Sequence, residues 1–219
     1  MQDKNPLKIS EMFDEIASYY DYMNNKISLG SHYIIKILAL KQLVLRENMM
    51  ILDACCGTGD FVRILSKSGL RVIGLDFSKE MIKIAKSKNP HGVFIQGDVT
   101  DLAFGENEFD VITMGFGLRN VENRQKALEE IYRVLKPNGQ FLHLDFGEHN
   151  FLSKIFDFIV PYIVKFCKKK SSNYEYLINT KNEYPQPDEI IEEFENAGFK
   201  FVKRKDFFFG AISVQIMQK

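Results

Sequence analysis

The chain has 219 residues, 45% of them hydrophobic, and its 29 basic and 29 acidic side chains leave a formal charge of zero. That length carries one domain with a well-buried core, no repeat or low-complexity segment interrupts it, and the charge balance offers no electrostatic footprint for nucleic acid. Its 3 cysteines, two of them adjacent as Cys55-Cys56, have neither zinc-site nor redox-motif spacing, so they read as small packing residues of a reducing compartment and no metal is expected.

The polar start from Met1 to Pro6 lacks an apolar leader core, which predicts a cytoplasmic protein. Helical periodicity runs over Ser10 to Tyr22, with Met12, Phe13, Ile16 and Tyr20 on one stripe, and again over Ser31 to Leu45; Ser28-Leu29-Gly30 breaks the two. Strands and helices then alternate. Strand Met49–Asp53 leads into helix Asp60–Lys67, strand Arg71–Leu75 into helix Lys79–Lys88, and strand Val93–Gln96 follows. Strand Glu108–Met114, a loop with two glycines, helix Asn123–Leu135 and strand Gln140–Phe146 continue the rhythm, Lys136 to Gly139 making the last turn. After Glu148 it lapses into one helical stretch over Phe151–Lys170, helix Asp188–Ala197 and two strands, Phe199–Asp206 and Ala211–Met217, that read as a hairpin.

The expected fold is α/β: a Rossmann-like, mostly parallel sheet with helices on both faces, an N-terminal helical cap and a C-terminal antiparallel hairpin. Within a single domain over 1–219, the cap takes 1–46, the cofactor-binding core 47–146, a helical insertion or lid 147–184, and the terminal helix and hairpin 185–219.

The turn Asp53-Ala54-Cys55-Cys56-Gly57-Thr58-Gly59-Asp60 holds the chemistry. Glycines at the carboxyl end of a strand let a ligand lie close to the backbone. Asp53 and Asp60 oppose a pyrophosphate, the third glycine of a dinucleotide fingerprint is missing, and no Gly-Lys-Ser/Thr follows. S-adenosylmethionine, with a sulfonium, an ammonium and no phosphate, fits better: one carboxylate about 4 Å from a cation contributes roughly 4 kcal/mol at an effective dielectric near 20. Asp76 ends the next strand where a ribose-binding acid belongs, and Asp98-Val99 follows the third, placed for the adenine amino group and ring. A single strand-end aspartate is ordinarily a cap or turn acid, but three in register argue for a ligand. His143, in mid-strand, reads as a core histidine with a partner.

Met12-Phe13-Asp14-Glu15-Ile16-Ala17, Tyr20-Asp21 with Asn24, Leu29-Gly30-Ser31-His32, the turn from Leu52 to Asp60, Phe116-Gly117-Leu118-Arg119-Asn120-Val121 and Tyr132-Arg133-Val134-Leu135-Lys136-Pro137 together carry a resemblance. The chain is similar over nearly its whole length to the ubiquinone/menaquinone-biosynthesis C-methyltransferases, a branch of the class I S-adenosylmethionine-dependent methyltransferases. Tyr174-Glu175-Tyr176-Leu177 and Phe194 to Phe199 add weaker matches. The resemblance implies transfer of a methyl group to a ring carbon of a prenylated hydroquinone, demethylmenaquinol or its benzoquinol analogue, with cofactor contacts at Thr58, Asp76, Asp98, Val99 and Gly115. Asp53, Cys55, Gly57 and Phe77 complete the candidate cofactor set.

For catalysis, Arg119 is expected to stabilise the acceptor's oxyanion and Asn120 to orient its hydroxyl, while Asp145 at the end of its strand is the proton acceptor, with His149 or His32 as alternatives. The apolar stretch from Phe151 to Phe166, running into Lys168-Lys169-Lys170, is too short and too interrupted to span a bilayer. It reads either as a lid that leans on the inner membrane face or as a core-facing helix with a solvated lysine run. A small-molecule N- or O-methyltransferase, or a cofactor-binding scaffold in a quinone-synthesis assembly, are the competing functions. The sequence allows a homodimer without requiring one.

Overall fold

The computed structural model describes residues 4–167 and 171–219. Residues 1–3 of the polar start and the lysines at 168–170 lie outside the described residues.

The alternating apolar runs pair into one seven-stranded sheet of β1 (Met50–Ala54), β2 (Arg71–Asp76), β3 (Val93–Gln96), β4 (Phe109–Gly115), β5 (Leu135–Phe146), β6 (Lys200–Phe207) and β7 (Ile212–Gln218), in the order β3-β2-β1-β4-β5-β7-β6. The first five run parallel; β7 is antiparallel to both β5 and β6, the expected hairpin. The turn from Lys136 to Gly139 is an excursion at the start of β5, across which the register jumps from Phe109–Leu135 to Val111–Gln140.

Side-chain alternation sends each strand's apolar residues to two opposite layers. One face buries Leu52, Ile112 and Phe141 against Ile131 and Val134 of α5 (Arg124–Val134) and Phe194 of α8 (Pro187–Asn196). The other buries Ile51, Val111 and Leu142 against α2 (Ser31–Leu40), α3 (Asp60–Ser66) and α4 (Lys79–Lys88). His143 is a buried core histidine as expected, 2.7 Å from Gln215 Oε1 through Nδ1 and 3.2 Å from the Tyr184 hydroxyl through Nε2.

Helix boundaries depart from periodicity where caps decide them. α1 spans Pro6–Ser28, starting ahead of the stripe because Asn5 accepts the Leu7 N–H at its N-cap and Pro6 sits in the first turn. It ends in two left-handed residues, Leu29 (φ 50°) and Gly30 (φ 80°). α2 stops at Leu40 instead of Leu45, as tight bonds from Gln42 and Leu43 N–H groups to Ala39 and Leu40 carbonyls close its last turn. The single helix expected over 151–170 is corrected to α6 (Phe151–Phe166), followed by α7 (Ser171–Asn182), whose apolar stripe is too weak for periodicity to find.

Candidate active site

The turn after β1 is built on left-handed backbone: Cys55, Gly57 and Gly59 have φ of 58°, 53° and 82°. It is tied to the neighbouring strand by Cys56 N–H to the Leu75 carbonyl at 2.9 Å and by Gly57 N–H to Asp76 Oδ2 at 2.7 Å. Asp76 Oδ1 also takes the Ser78 N–H at 2.9 Å. Burial raises its carboxyl above the usual range, against the pull of those N–H groups.

Of the nine candidate cofactor residues, Cys55, Gly57, Asp76, Phe77, Asp98, Val99 and Gly115 line one cavity, roofed by the N-terminal half of α1. Asp53 and Thr58 do not line it. Asp53 lies beneath the turn, 1% exposed; Oδ1 accepts from Thr113 Oγ1 at 2.8 Å and Oδ2 has no partner. Burial pushes this carboxyl up to about 7. An orphaned carboxylate oxygen at the cofactor turn, with acidic residues around the cavity, is the polarity a cationic cofactor requires, so the chain fits S-adenosylmethionine.

Thr58 turns away from that cavity: its hydroxyl donates to Asp21 Oδ1 on α1 at 2.6 Å and receives Lys88 Nζ at 2.9 Å. Lys88 also pairs with Asp21 at 2.6 Å, so α1 is fastened across the cofactor turn. Asp60 corrects the charge argument made from sequence. Burial alone would raise its carboxyl, but Lys36 at 2.8 Å, then Lys88 and Arg63, hold it at about 2. Its charge is spent on those cations; the unpaired acid is Asp53.

A second, larger cavity, open to solvent, shares Phe13, Tyr20, Cys55, Gly57, Gly115, Phe116 and Asn120 with the first. Arg119 and Asn120 line it from a short 3-10 turn after β4. Phe116 takes a left-handed φ of 59°, and its carbonyl accepts Arg119 Nη1 at 2.8 Å and Asn120 Nδ2 at 3.3 Å. Asp145 is brought to Arg119 but not to the cavity: fully buried, it accepts Nη1 at 2.8 Å and the Phe146 N–H at 2.8 Å, both through Oδ1. The rings of Phe146 and Phe116 lie 5.1 and 5.7 Å from the guanidinium carbon. His149 faces the Lys181 carbonyl and lines neither cavity, whereas His32 lines the larger one.

Lys181 was not legible as a cavity residue from sequence, since it stands in α7, the helix that periodicity missed. It is 1% exposed, lines the larger cavity and donates to Ser153 Oγ at 2.7 Å, Asp157 Oδ2 at 3.0 Å and Asn182 Oδ1 at 2.9 Å. Tyr176 donates to Asn120 Oδ1 at 3.3 Å, and burial pushes its hydroxyl up to about 12, so it stays protonated.

The loop that aims Arg119 depends on Gly117, where an added Cβ would stand 2.5 Å from Cys55 Cβ. Gly117→Ala is expected to destabilise the fold by about 1–3 kcal/mol through overpacking. Because the conflict is with Cβ and not Sγ, Cys55→Ala leaves it in place and Cys55→Gly relieves it. Urea denaturation of the two double variants checks this.

Residues 1–219 match the ubiE/COQ5 methyltransferase family. The chain is 37% identical over 225 residues to a demethylmenaquinone methyltransferase of Staphylococcus carnosus, covering 97% of this chain and 93% of the relative. A demethylmenaquinone methyltransferase of Anoxybacillus flavithermus is 32% identical, covering 100% and 98%. Among solved structures, a possible histamine N-methyltransferase of Thermotoga maritima superposes with a TM-score of 0.73 at 20% identity, over 95% and 99% of the two chains. The [4+2]-cyclase SpnF superposes with a TM-score of 0.71 at 14% identity, over 96% and 94%. Likeness at that level shows the fold and leaves the chemistry to the site. The full-length match, the orphaned acid under the glycine turn and the two cavities meeting at Gly115 and Asn120 agree: the chain belongs to the ubiE/COQ5 methyltransferase family and is an S-adenosylmethionine-dependent methyltransferase.

Proposed function

We propose that this enzyme methylates a ring carbon of a prenylated hydroquinone, demethylmenaquinol or its benzoquinol equivalent, in quinone synthesis. The observation that carries the reading is the wall shared by the two cavities. A donor in the smaller one and an acceptor in the larger one meet at a wall that both cavities share, made by Phe13, Tyr20, Cys55, Gly57, Gly115, Phe116 and Asn120. The relatives are named for demethylmenaquinone, and an apolar cavity lined by Ile16, Ile27, Leu152 and Phe156 suits a prenylated ring.

When bound, S-adenosylmethionine supplies an electrophilic methyl group. The residues of the chain prepare the acceptor. A hydroquinone carbon becomes nucleophilic when its neighbouring hydroxyl ionises, and with a phenol-like pKa near 10 that costs about 4 kcal/mol at neutral pH. Arg119, always charged and largely desolvated, offsets most of that cost, and Asn120, held by Tyr176, orients the hydroxyl. Asp145 aims Arg119 from behind and takes no proton in this scheme. Asp76, Asp98 and Val99 hold the cofactor, Asp53 adds its charge from beneath the turn without lining the cavity, and Cys55, Gly57, Phe77 and Gly115 are its walls, with Thr58 securing α1 over it.

Peripheral contact with the membrane face goes with this substrate. On α6 the exposed stripe is apolar: Phe151, Phe158, Tyr162 and Phe166 are 75%, 68%, 62% and 90% exposed, while Ser153 is buried. Lys154 and Lys165 stand on the exposed side with them, an arrangement suited to an interface with anionic lipid. No helix among the described residues is long and apolar enough to cross a membrane. Phe158→Ser with Phe166→Ser is expected to lower co-sedimentation with anionic vesicles at least about tenfold, since each buried CH₂ contributes about 0.8 kcal/mol, and to leave methylation of a short-tailed quinol unchanged.

The test of function is incubation with labelled S-adenosylmethionine and reduced demethylated naphtho- and benzoquinols, read by mass spectrometry of the product ring. Cofactor binding with no methyl transfer to either quinol would favour the scaffold reading instead.

A further inference from the structure

Methylation replaces a ring C–H by C–CH₃ and sets one proton free, and neither member of the Arg119–Asp145 pair is free to carry it. The guanidinium does not deprotonate, and the carboxylate is sealed behind it. One imidazole lines the larger cavity among the described residues, that of His32 in the first turn of α2.

The bonding around His32 determines its tautomer. Ser28, the last residue of α1, places Oγ 2.6 Å from the Asn24 carbonyl. A carbonyl has no hydrogen to give, so the Ser28 hydroxyl proton points there. The same Oγ is 2.8 Å from His32 Nδ1, toward which it is left only an acceptor. Nδ1 therefore carries the ring hydrogen and Nε2 keeps a lone pair, with no hydrogen-bonding partner among the described residues. The left-handed pair Leu29-Gly30 brings the two side chains together by turning α1 into α2 within two residues.

We propose that His32 is the general base of the reaction, accepting the acceptor's hydroxyl proton on Nε2, with Ser28 and the Asn24 carbonyl as the positioning relay that keeps that nitrogen bare. This rests on the hydroquinone reading above. The O–H bond breaks, its electron pair stays on the oxygen facing Arg119, and the proton forms the Nε2–H bond. Once the ring carbon has been methylated it sheds its hydrogen as a proton, which returns to the oxygen. The imidazolium passes its own proton to water at the open cavity, so one proton leaves per turnover.

The surrounding charges suit a neutral base. Lys36 on α2, Lys88 on α4, Asp60 on α3 and Asp21 on α1 face the ring. Burial first, and then Lys36, lower the imidazole below its ordinary value despite the two carboxylates. A base lowered in this way is unprotonated at neutral pH and still within useful range of a hydroxyl that Arg119 acidifies.

The test joins a spectroscopic reading to a kinetic one. Nitrogen-15 NMR of the cofactor-free protein is expected to show His32 neutral at pH 7 with hydrogen on Nδ1, and Ser28→Ala is expected to mix the tautomers and lower kcat several-fold at unchanged KM. His32→Gln is expected to lose about 10²–10⁴-fold in kcat, to lose the acidic limb of the pH–rate profile, and to bind S-adenosylhomocysteine within about twofold of the wild type. A hydrogen on Nε2 in the wild type, or His32→Gln retaining more than about a third of kcat, overturns the proposal while the hydroquinone reading stands. A wild type that binds cofactor but methylates neither quinol overturns both.

Discussion

Arg119→Lys is expected to lower kcat for quinol methylation by about 10²–10³-fold, the loss typical for one oxyanion-stabilising donor, while S-adenosylmethionine affinity stays within about twofold. The reason is geometric. Nη1 is committed to the Phe116 carbonyl and Asp145 and Nε is buried, but the planar fork still has Nη2 to offer, whereas a lysine ammonium that keeps Asp145 satisfied has no second arm. Arg119→Met is a poorer test, because it strands a fully buried carboxylate and is expected to destabilise the fold by about 3–5 kcal/mol. Arg119→Met combined with Asp145→Leu replaces the whole pair by apolar groups, which is often neutral for stability. That double variant is expected to recover the urea midpoint and none of the rate. A double variant that recovers both would reduce Arg119 to a packing residue. Single-turnover rates, calorimetric cofactor affinity and urea denaturation on the same three proteins separate these outcomes.

Asp53→Asn is expected to stabilise the cofactor-free protein and weaken the cofactor complex, with both effects growing as pH rises. Because the folded carboxyl sits at about 7, the folded chain holds a proton that the unfolded chain has already lost between the ordinary carboxylate range and that value. Stability therefore falls as pH rises through this window and levels off above it, a cost of about 4 kcal/mol at 1.36 kcal/mol per unit. Asparagine keeps the acceptor for Thr113 Oγ1 and carries no such cost, so its advantage is near zero at about pH 4 and of order 2–4 kcal/mol at about pH 8. In the wild type, a bound ammonium favours the ionised acid. Affinity for S-adenosylhomocysteine is then expected to rise with pH by up to about tenfold per unit below 7 and flatten above, with up to one proton released per ligand below that point. Calorimetry in buffers of different ionisation enthalpy reads the proton count directly. Equal affinity of wild type and Asp53→Asn across the range would remove Asp53 from the cofactor site.

Much of the fold was legible because its signals are local. Apolar runs of strand length, helical stripes such as Ala127, Ile131 and Val134, and punctuation at Gly30, Gly57 and Gly139 are written within a few residues of one another, and they placed the β-strands closely except for the start of β5, which lies at Leu135 and not Gln140. Among the described residues, the α-helix that periodicity missed was α7, whose place is set by Lys181 reaching Ser153 and Asp157 on α6. The cofactor turn was readable for the same reason: an acid, two glycines and a helix start lie consecutively, and the strand-end acids Asp76 and Asp98 recur in step.

By itself the sequence determined the order of the strands and of the helices other than α7, the glycine turn, the acids that end three parallel strands and the Gly-Leu-Arg-Asn loop, since each is a property of adjacent residues. Tertiary structure alone decided what those charges do. It spent Asp60 on Lys36 and Lys88, left Asp53 Oδ2 without a partner and buried Asp145 behind Arg119. The physical reason is that a side chain's charge state and free lone pairs depend on burial and on partners tens of residues away, which no short window of sequence contains.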